Sequence, residues 1–378
     1  MTDQSSVRDT MGAVRRLGLP LLVWACAAAT IIITAAALGY DPLDSSTWSR
    51  WDSGNYENIA RDGYEVFRCE DEPDKWCGDA AWFPAYSWVF GGLHRLGLPF
   101  RGTAVAVSWL FAAGTIVLLW STFLRRETTR TVLAGLFFAA FAPGIIYHYA
   151  VFPLSMLAFF TVACLWLVYR ERYAWAGIAG FVAALTYPAG VLLAPITAFW
   201  LVARRSVPLT ERLVQAAITS GLTLLGFWVL VLDQQLETGH WNAFFLVQEK
   251  YEALHGSQNP FVTTWNVIRG GIENSGSGIG LVVALQTALV TLVLALVVIR
   301  AIHDRQPFDS ADTLVLVWAL TTWVMLFQAF SLYRGQAALL PVAVLVARLP
   351  AKVAWPLATA SAGIAIWLER YYLDSTLV

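Results

Sequence analysis

Asp52 is the side chain here best placed for acid–base chemistry. It stands in Arg50-Trp51-Asp52, followed by Asn55, Tyr56, Ile59-Ala60 and Gly63-Tyr64, straight after the first membrane-length apolar run. Trp82-Phe83-Pro84 closes the same polar stretch. An ionised carboxylate among aromatics at a membrane surface can accept a proton from an attacking hydroxyl within hydrogen-bond reach. Aspartate is also a preferred helix N-cap. The two roles are compatible, because the positive end of a helix keeps a carboxylate ionised. Asp41 and Asp44 are the serious substitutes for Asp52, while Glu57 and Asp62 read as solvated groups on the polar face of a short helix.

Arg334 is the basic residue at the outer end of the later apolar hairpins. It can fork onto a leaving phosphate or snorkel to lipid headgroups. Tyr333 beside it, Arg50 beside Asp52, and His148 within Tyr147-His148-Tyr149 complete the candidates for a phosphate-bearing donor. For His148 the ordinary role is an interfacial anchor at a span end. Trp51, Asn55, Tyr56, Trp82, Phe83, Pro84 and Tyr187 offer aromatic faces and amides that suit a sugar. Trp241 and Gln248, in a second polar stretch with Phe244, Phe245 and Tyr251, do the same, although an aromatic belt also explains such a cluster. Cys69 and Cys77 can pair as a disulfide if their loop is extracytoplasmic, against a zinc pair or free thiols. Cys26 and Cys164 lie in apolar runs and read as small buried hydrophobes. No metal-ligand spacing occurs, and loss of a phosphate leaving group requires neither a divalent ion nor another cofactor.

The elements that position these groups follow from composition. Of 378 residues, 58% are hydrophobic and 13% charged, with mean hydropathy +0.59. A soluble domain carries roughly 25% charged residues, so an all-α polytopic membrane protein is expected. A net charge of -1 leaves no basic stripe for nucleic acid. Only three of the 25 basic residues are lysine, a usage expected of a high-GC bacterial genome.

A span needs about 20 apolar residues, and Arg and Lys in short loops mark the cytoplasmic side. Arg15 and Arg16 place the N-terminus in the cytoplasm, and the run Leu17 to Leu38 reads as a retained signal anchor. Eleven or so spans are expected in all, that run the first, with Arg125, Arg126, Arg130, Arg170, Arg172, Arg204, Arg205, Arg300, Arg305, Arg348 and Lys352 all on the inner side. Residues 1–378 then form one multi-pass domain of the cell membrane. Two extracytoplasmic loops stand out, 39–101 with the active-site residues and 233–277. In the first loop, Tyr56, Ile59 and Ala60 repeat at helical spacing until Gly63, and a second helix starts at Pro84 and stops before Gly97. Both are too short to span and read as juxtamembrane helices roofing a cavity.

Ser49-Arg50-Trp51-Asp52, Tyr56, Ile59-Ala60, Gly63-Tyr64 and Phe83-Pro84 resemble, in order, the first-loop signature of one membrane enzyme family. These are the mannosyltransferases that add the second mannose to glycosylphosphatidylinositol anchors, and their bacterial relatives. The match covers about fifty residues, with Tyr333-Arg334 before a late span. Asn55 stands where the eukaryotic enzymes tend to have His, and Ser87 where a second Pro often follows. The resemblance implies the GT-C glycosyltransferase fold and a polyprenyl-phosphate sugar donor, usually carrying mannose. It also implies inversion at the anomeric carbon with Asp52 as base. A lipid or glycan hydroxyl is the expected acceptor, and membrane lipids surround the whole. The rivals are a lipid or glycan transporter or flippase, which would place ionisable groups within its spans, and a non-catalytic scaffold with a sugar-binding loop.

Overall fold

The computed structural model describes residues 4–124, 130–204, 206–251, 259–326 and 331–377, with side chains from Leu17 onward. Arg125, Arg126 and Arg205, three of the inner-side markers, lie outside the described residues, as do the side chains of Arg15 and Arg16. The described residues are all-α apart from one hairpin. In order the helices are α1 (Gln4–Ala37), α2 (Ser53–Asp62), α3 (Ala85–Arg95), α4 (Phe100–Leu119), α5 (Arg130–Ala140), α6 (Leu154–Tyr169), α7 (Tyr173–Thr186), α8 (Pro188–Val191), α9 (Leu193–Ala203), α10 (Leu209–Thr238), α11 (Ala243–Glu249), α12 (Pro260–Glu273), α13 (Ile279–His303), α14 (Ala311–Met325), α15 (Leu332–Gln336), α16 (Ala343–Val346) and α17 (Ala351–Leu373). Strands β1 (Val66–Arg68) and β2 (Trp76–Gly78) pair antiparallel, Phe67 opposite Cys77.

Among the described residues, five segments are long and apolar enough to cross a membrane: Leu17–Ala37, Phe100–Leu124, Leu209–Thr238, Ile279–His303 and Ala351–Leu373. Six shorter apolar segments accompany them, Leu332–Val346 the last. The expected spans therefore differ in kind. The run from Val132 to Tyr147 is α-helical only to Ala140 and resumes as a short 3-10 turn at Ile145, because Pro143 cannot continue the backbone ladder and Gly144 turns left-handed at φ 70°. The run after Gln336 is likewise broken into short turns around Pro341. Within the second loop α12 packs along α13, Gly271 coming so close that a Cβ there would lie 2.2 Å from the Gly280 carbonyl oxygen.

The two ends of the bundle divide the polar chemistry. At one end Arg204 pairs with Glu171 and Arg348 with Asp312, each at 2.9 Å. At the other, the tips of α1 and α17 meet through a Tyr40–Asp374 hydrogen bond of 2.9 Å, and α2, the hairpin, α3 and α11 gather there. Cys69 and Cys77 form a disulfide with their Cα atoms 5.1 Å apart, closing the hairpin whose second strand packs on α11. Cys164 is buried as expected, but Cys26 is exposed on the outer face of α1. Glu369 is buried in α17 with neither carboxylate oxygen hydrogen-bonded.

Candidate active site

A cavity of about 500 Å³ sits at the loop-bearing end. Asp52 and Tyr56 reach it from α2, Trp82 and Phe83 from the approach to α3, and Tyr187 from the α7–α8 corner. Phe244, Gln248 and Tyr251 come from the second loop, and Arg334 from α15. A carboxylate and a guanidinium separated by 282 positions in sequence meet here, Arg334 Nη1 donating to Asp52 Oδ2. Each side chain retains 18% of its exposure. Among the described residues they are the charged groups of the lining; the rest is aromatic, aliphatic or neutral polar. Much of the lining is oily, with Pro188, Ala189 and Leu192 from one part of the chain and Met325, Leu326 and Leu332 from another.

Local sequence explains why Asp52 points inward. Its backbone is already helical at φ -59°, ψ -13°, and its side chain makes no capping hydrogen bond. The N-cap reading is therefore replaced: the carboxylate turns away from the first helical amides toward Arg334. Trp51 holds a left-handed φ of 49°, a conformation disfavoured for a bulky residue. Glu57, expected in solvent, is only 3% exposed and holds that turn from within. It accepts hydrogen bonds from Ser49 Oγ at 2.7 Å and from Arg101 Nε at 2.9 Å, with Arg61 at 3.6 Å. The reason is tertiary: Arg101, at the start of α4, reaches across to α2 and neutralises the carboxylate. Asp62 is exposed as expected. Helix α2 stops where expected, at Gly63 (φ 80°), where an added Cβ would lie 2.7 Å from a Glu237 carboxylate oxygen.

Of the alternatives to Asp52, Asp44 accepts from Ser46 N and Oγ, and Asp41 from Leu43 N, so both shape turns outside the cavity. Arg50 turns to the tip of α17, donating to the Ser46 and Leu373 carbonyls at 2.7 and 3.4 Å. Tyr333 is buried against Tyr147, ring centroids 6.2 Å apart. His148 is neither an interfacial anchor nor a cavity residue. It is fully buried, its Nε2 is 3.0 Å from the Ala337 carbonyl, and burial pushes its pKa down to about 4. Trp51 and Trp241 are exposed, Asn55 is half-buried and Pro84 is buried, and none of the four lines the cavity.

Gln286, two turns into α13, is a hub that the sequence reading passed over. It accepts from Gly144 N at 3.0 Å and donates to the Tyr333 carbonyl at 2.9 Å and to Gln336 Oε1 at 3.0 Å. It thereby fixes the backbone from which Arg334 projects. Its signal was visible: a lone amide in an otherwise apolar run from Ile279 to Ile299. Asp79 is another buried group, accepting from Glu65 N at 2.9 Å beneath the hairpin, with its pKa pushed up to about 6 by burial.

No family model matches the sequence, and no curated protein matches it. The Archaeoglobus fulgidus oligosaccharyltransferase, in its crystal structure with zinc and sulfate, is similar over 93% of this chain at 16% identity and a TM-score of 0.51. That similarity covers 53% of the archaeal protein, so the chain spans about half its length. The fold is GT-C-like. The comparison supports the fold alone, and the chemistry rests on the residues that line the cavity of this chain.

Proposed function

We propose that this protein is a membrane glycosyltransferase that moves a sugar from a polyprenyl-phosphate donor to a hydroxyl of a lipid or glycan acceptor. Asp52 is the general base and Arg334 receives the leaving phosphate. The observation that carries the reading is the cavity itself, which combines one acid–guanidinium pair with an extensive aliphatic lining. A donor with a phosphate and a hydrocarbon tail needs both. The acceptor oxygen attacks the anomeric carbon, the carbon–phosphate oxygen bond breaks with its electron pair leaving on phosphate, and Asp52 takes the hydroxyl proton. Attack opposite the leaving group inverts the carbon. Tyr56, Trp82, Phe244 and Gln248 supply aromatic and amide surface for the sugar. Mannose is the sugar favoured by the first-loop signature, Ser49 to Tyr64.

In the same reading all eleven apolar segments sit in a bacterial cell membrane, with the N-terminus cytoplasmic and the cavity opening outward. Purified protein in lipid nanodiscs, given a panel of polyprenyl-phosphate sugars, is expected to release polyprenyl phosphate slowly from one of them even without acceptor. Asp52→Asn is nearly isosteric and should lower transfer by at least about a hundredfold, within the usual 10²–10⁴ contribution of a general base, with donor binding retained. Near-native turnover in that variant would move the base elsewhere, and no release from any donor would remove the reading.

A further inference from the structure

The pair that defines the site is also an obstacle to it. Asp52 Oδ2 accepts from Arg334, so the carboxylate that should take the acceptor's proton is already ion-paired. Arg334 is likewise committed before any phosphate arrives. Both side chains are largely shielded, and a shielded charge left without a partner is strongly unfavourable. The contact therefore holds until another anion replaces one member.

We infer that the Asp52–Arg334 pair is the resting lock of the site and that the donor's phosphate is its key. The inference rests on the donor class proposed above. Arg334 is the partner that moves. A guanidinium on a four-bond stem carries five donors in a planar fork that fits phosphate oxygens. Asp52 has two side-chain torsions and sits on a turn bonded through Ser49, Ser53 and Glu57. When the phosphate takes Arg334, Asp52 is left as the cavity's free carboxylate beside the sugar to be transferred. Base activation and donor occupancy become one event. After transfer, the proton on Asp52 passes to solvent, the carboxylate competes for Arg334 again, and polyprenyl phosphate is displaced. The lock thus orders the reaction, donor before acceptor, and assists product release.

The test is a double-mutant cycle read by direct binding of a short-chain polyprenyl phosphate, with no sugar attached, to protein in nanodiscs. Asp52→Asn should tighten binding about tenfold, within the 5–150-fold range typical of coupled sites. The same change in an Arg334→Gln background should tighten it less than threefold, because no lock remains to open. Simple repulsion between carboxylate and phosphate predicts the reverse, an equal or larger gain once Arg334 is gone, and that result overturns the lock while leaving the donor assignment intact. Should Arg334→Gln not fold, Arg334→Leu supplies the same cycle. Failure of the unaltered protein to bind the probe, together with no turnover on any donor, overturns the donor assignment and the lock with it.

Discussion

Asp52 and Arg334 arrive at one point in the cavity from turns built in different ways. The Asp52 turn is held on several sides. The Trp48 carbonyl accepts from Val151 N and from Tyr372 Oη, both at 2.9 Å; Arg50 N donates to Ser53 Oγ at 3.1 Å; and Glu57 ties Ser49 to Arg101. Arg334 also follows a left-handed residue, Ser331 at φ 57°, but its segment is pinned at the backbone by Gln286 bonding the Tyr333 carbonyl. Its side chain then passes over the Phe152 ring, 5.8 Å from the centroid, to reach its partner. Hydrogen bonds along the turn place the carboxylate; an aromatic contact and the partner place the guanidinium. A general base must keep its geometry through the reaction, whereas a phosphate ligand must reach and release, and the two constructions suit those tasks.

Breaking the first construction should cost most. Glu57→Ala removes the anchor of the Ser49–Asp52 turn without touching the cavity wall. Misplacement of a reacting group by about 1 Å can cost roughly a hundredfold, so turnover should fall by about that factor. Affinity for polyprenyl phosphate should stay within about threefold, and Glu57→Gln, which keeps an acceptor for Ser49, should recover part of the loss. An equal fall in donor affinity would mean that Glu57 supports the whole cavity and that the two turns are not separable.

Gln286→Leu attacks the second construction and should act in the opposite sense. It leaves the Gly144 amide and the Tyr333 carbonyl without this partner, and a buried unsatisfied group costs about 1–3 kcal/mol. A stability loss of about 2 kcal/mol is expected in chemical unfolding of the purified protein. Donor affinity should weaken, since the backbone carrying Arg334 loses its tether, while product formation at saturating donor changes little. A loss confined to turnover at saturating donor would assign Gln286 to the carboxylate side instead.

The same contrast explains what the sequence disclosed. The α2 boundaries were readable because glycine, aromatic spacing and a polar face are local signals, and Asp52, Tyr56, Trp82, Phe83, Tyr187, Gln248 and Arg334 all reach the cavity. Glu57 was misread because its partner Arg101 is 44 positions away, and nothing local distinguishes a buried carboxylate from a solvated one. His148 was misread for a related reason: a histidine between two tyrosines looks the same at an interface and in a core, and only packing against Ala337 decides it. The oily lining of Leu192, Met325 and Leu326 consists of residues that any membrane helix uses, so composition alone could not mark it. Apolar segments were countable, yet their breaks at Pro143 and Pro341 determine which ones continue as full-length helices.

The smallest effect concerns strain in the Asp52 turn. Trp51 is 48% exposed and yet holds φ at 49°, which costs roughly 1–2 kcal/mol for an ordinary L-residue. Asparagine tolerates that conformation because its short side chain can bond locally. Trp51→Asn should therefore relieve part of the strain while the bonds from Trp48, Ser53 and Glu57 keep the turn in place. A gain of about 1 kcal/mol or less is expected, offset by whatever apolar contact the half-exposed indole makes, so the melting temperature should rise by about 2 °C. The comparison gains from this because Glu57→Ala and Trp51→Asn then separate two causes of rigidity in one turn. If Trp51→Asn lowers the melting temperature, the indole's contacts outweigh the strain, and the turn is fixed by packing as well as by its hydrogen bonds.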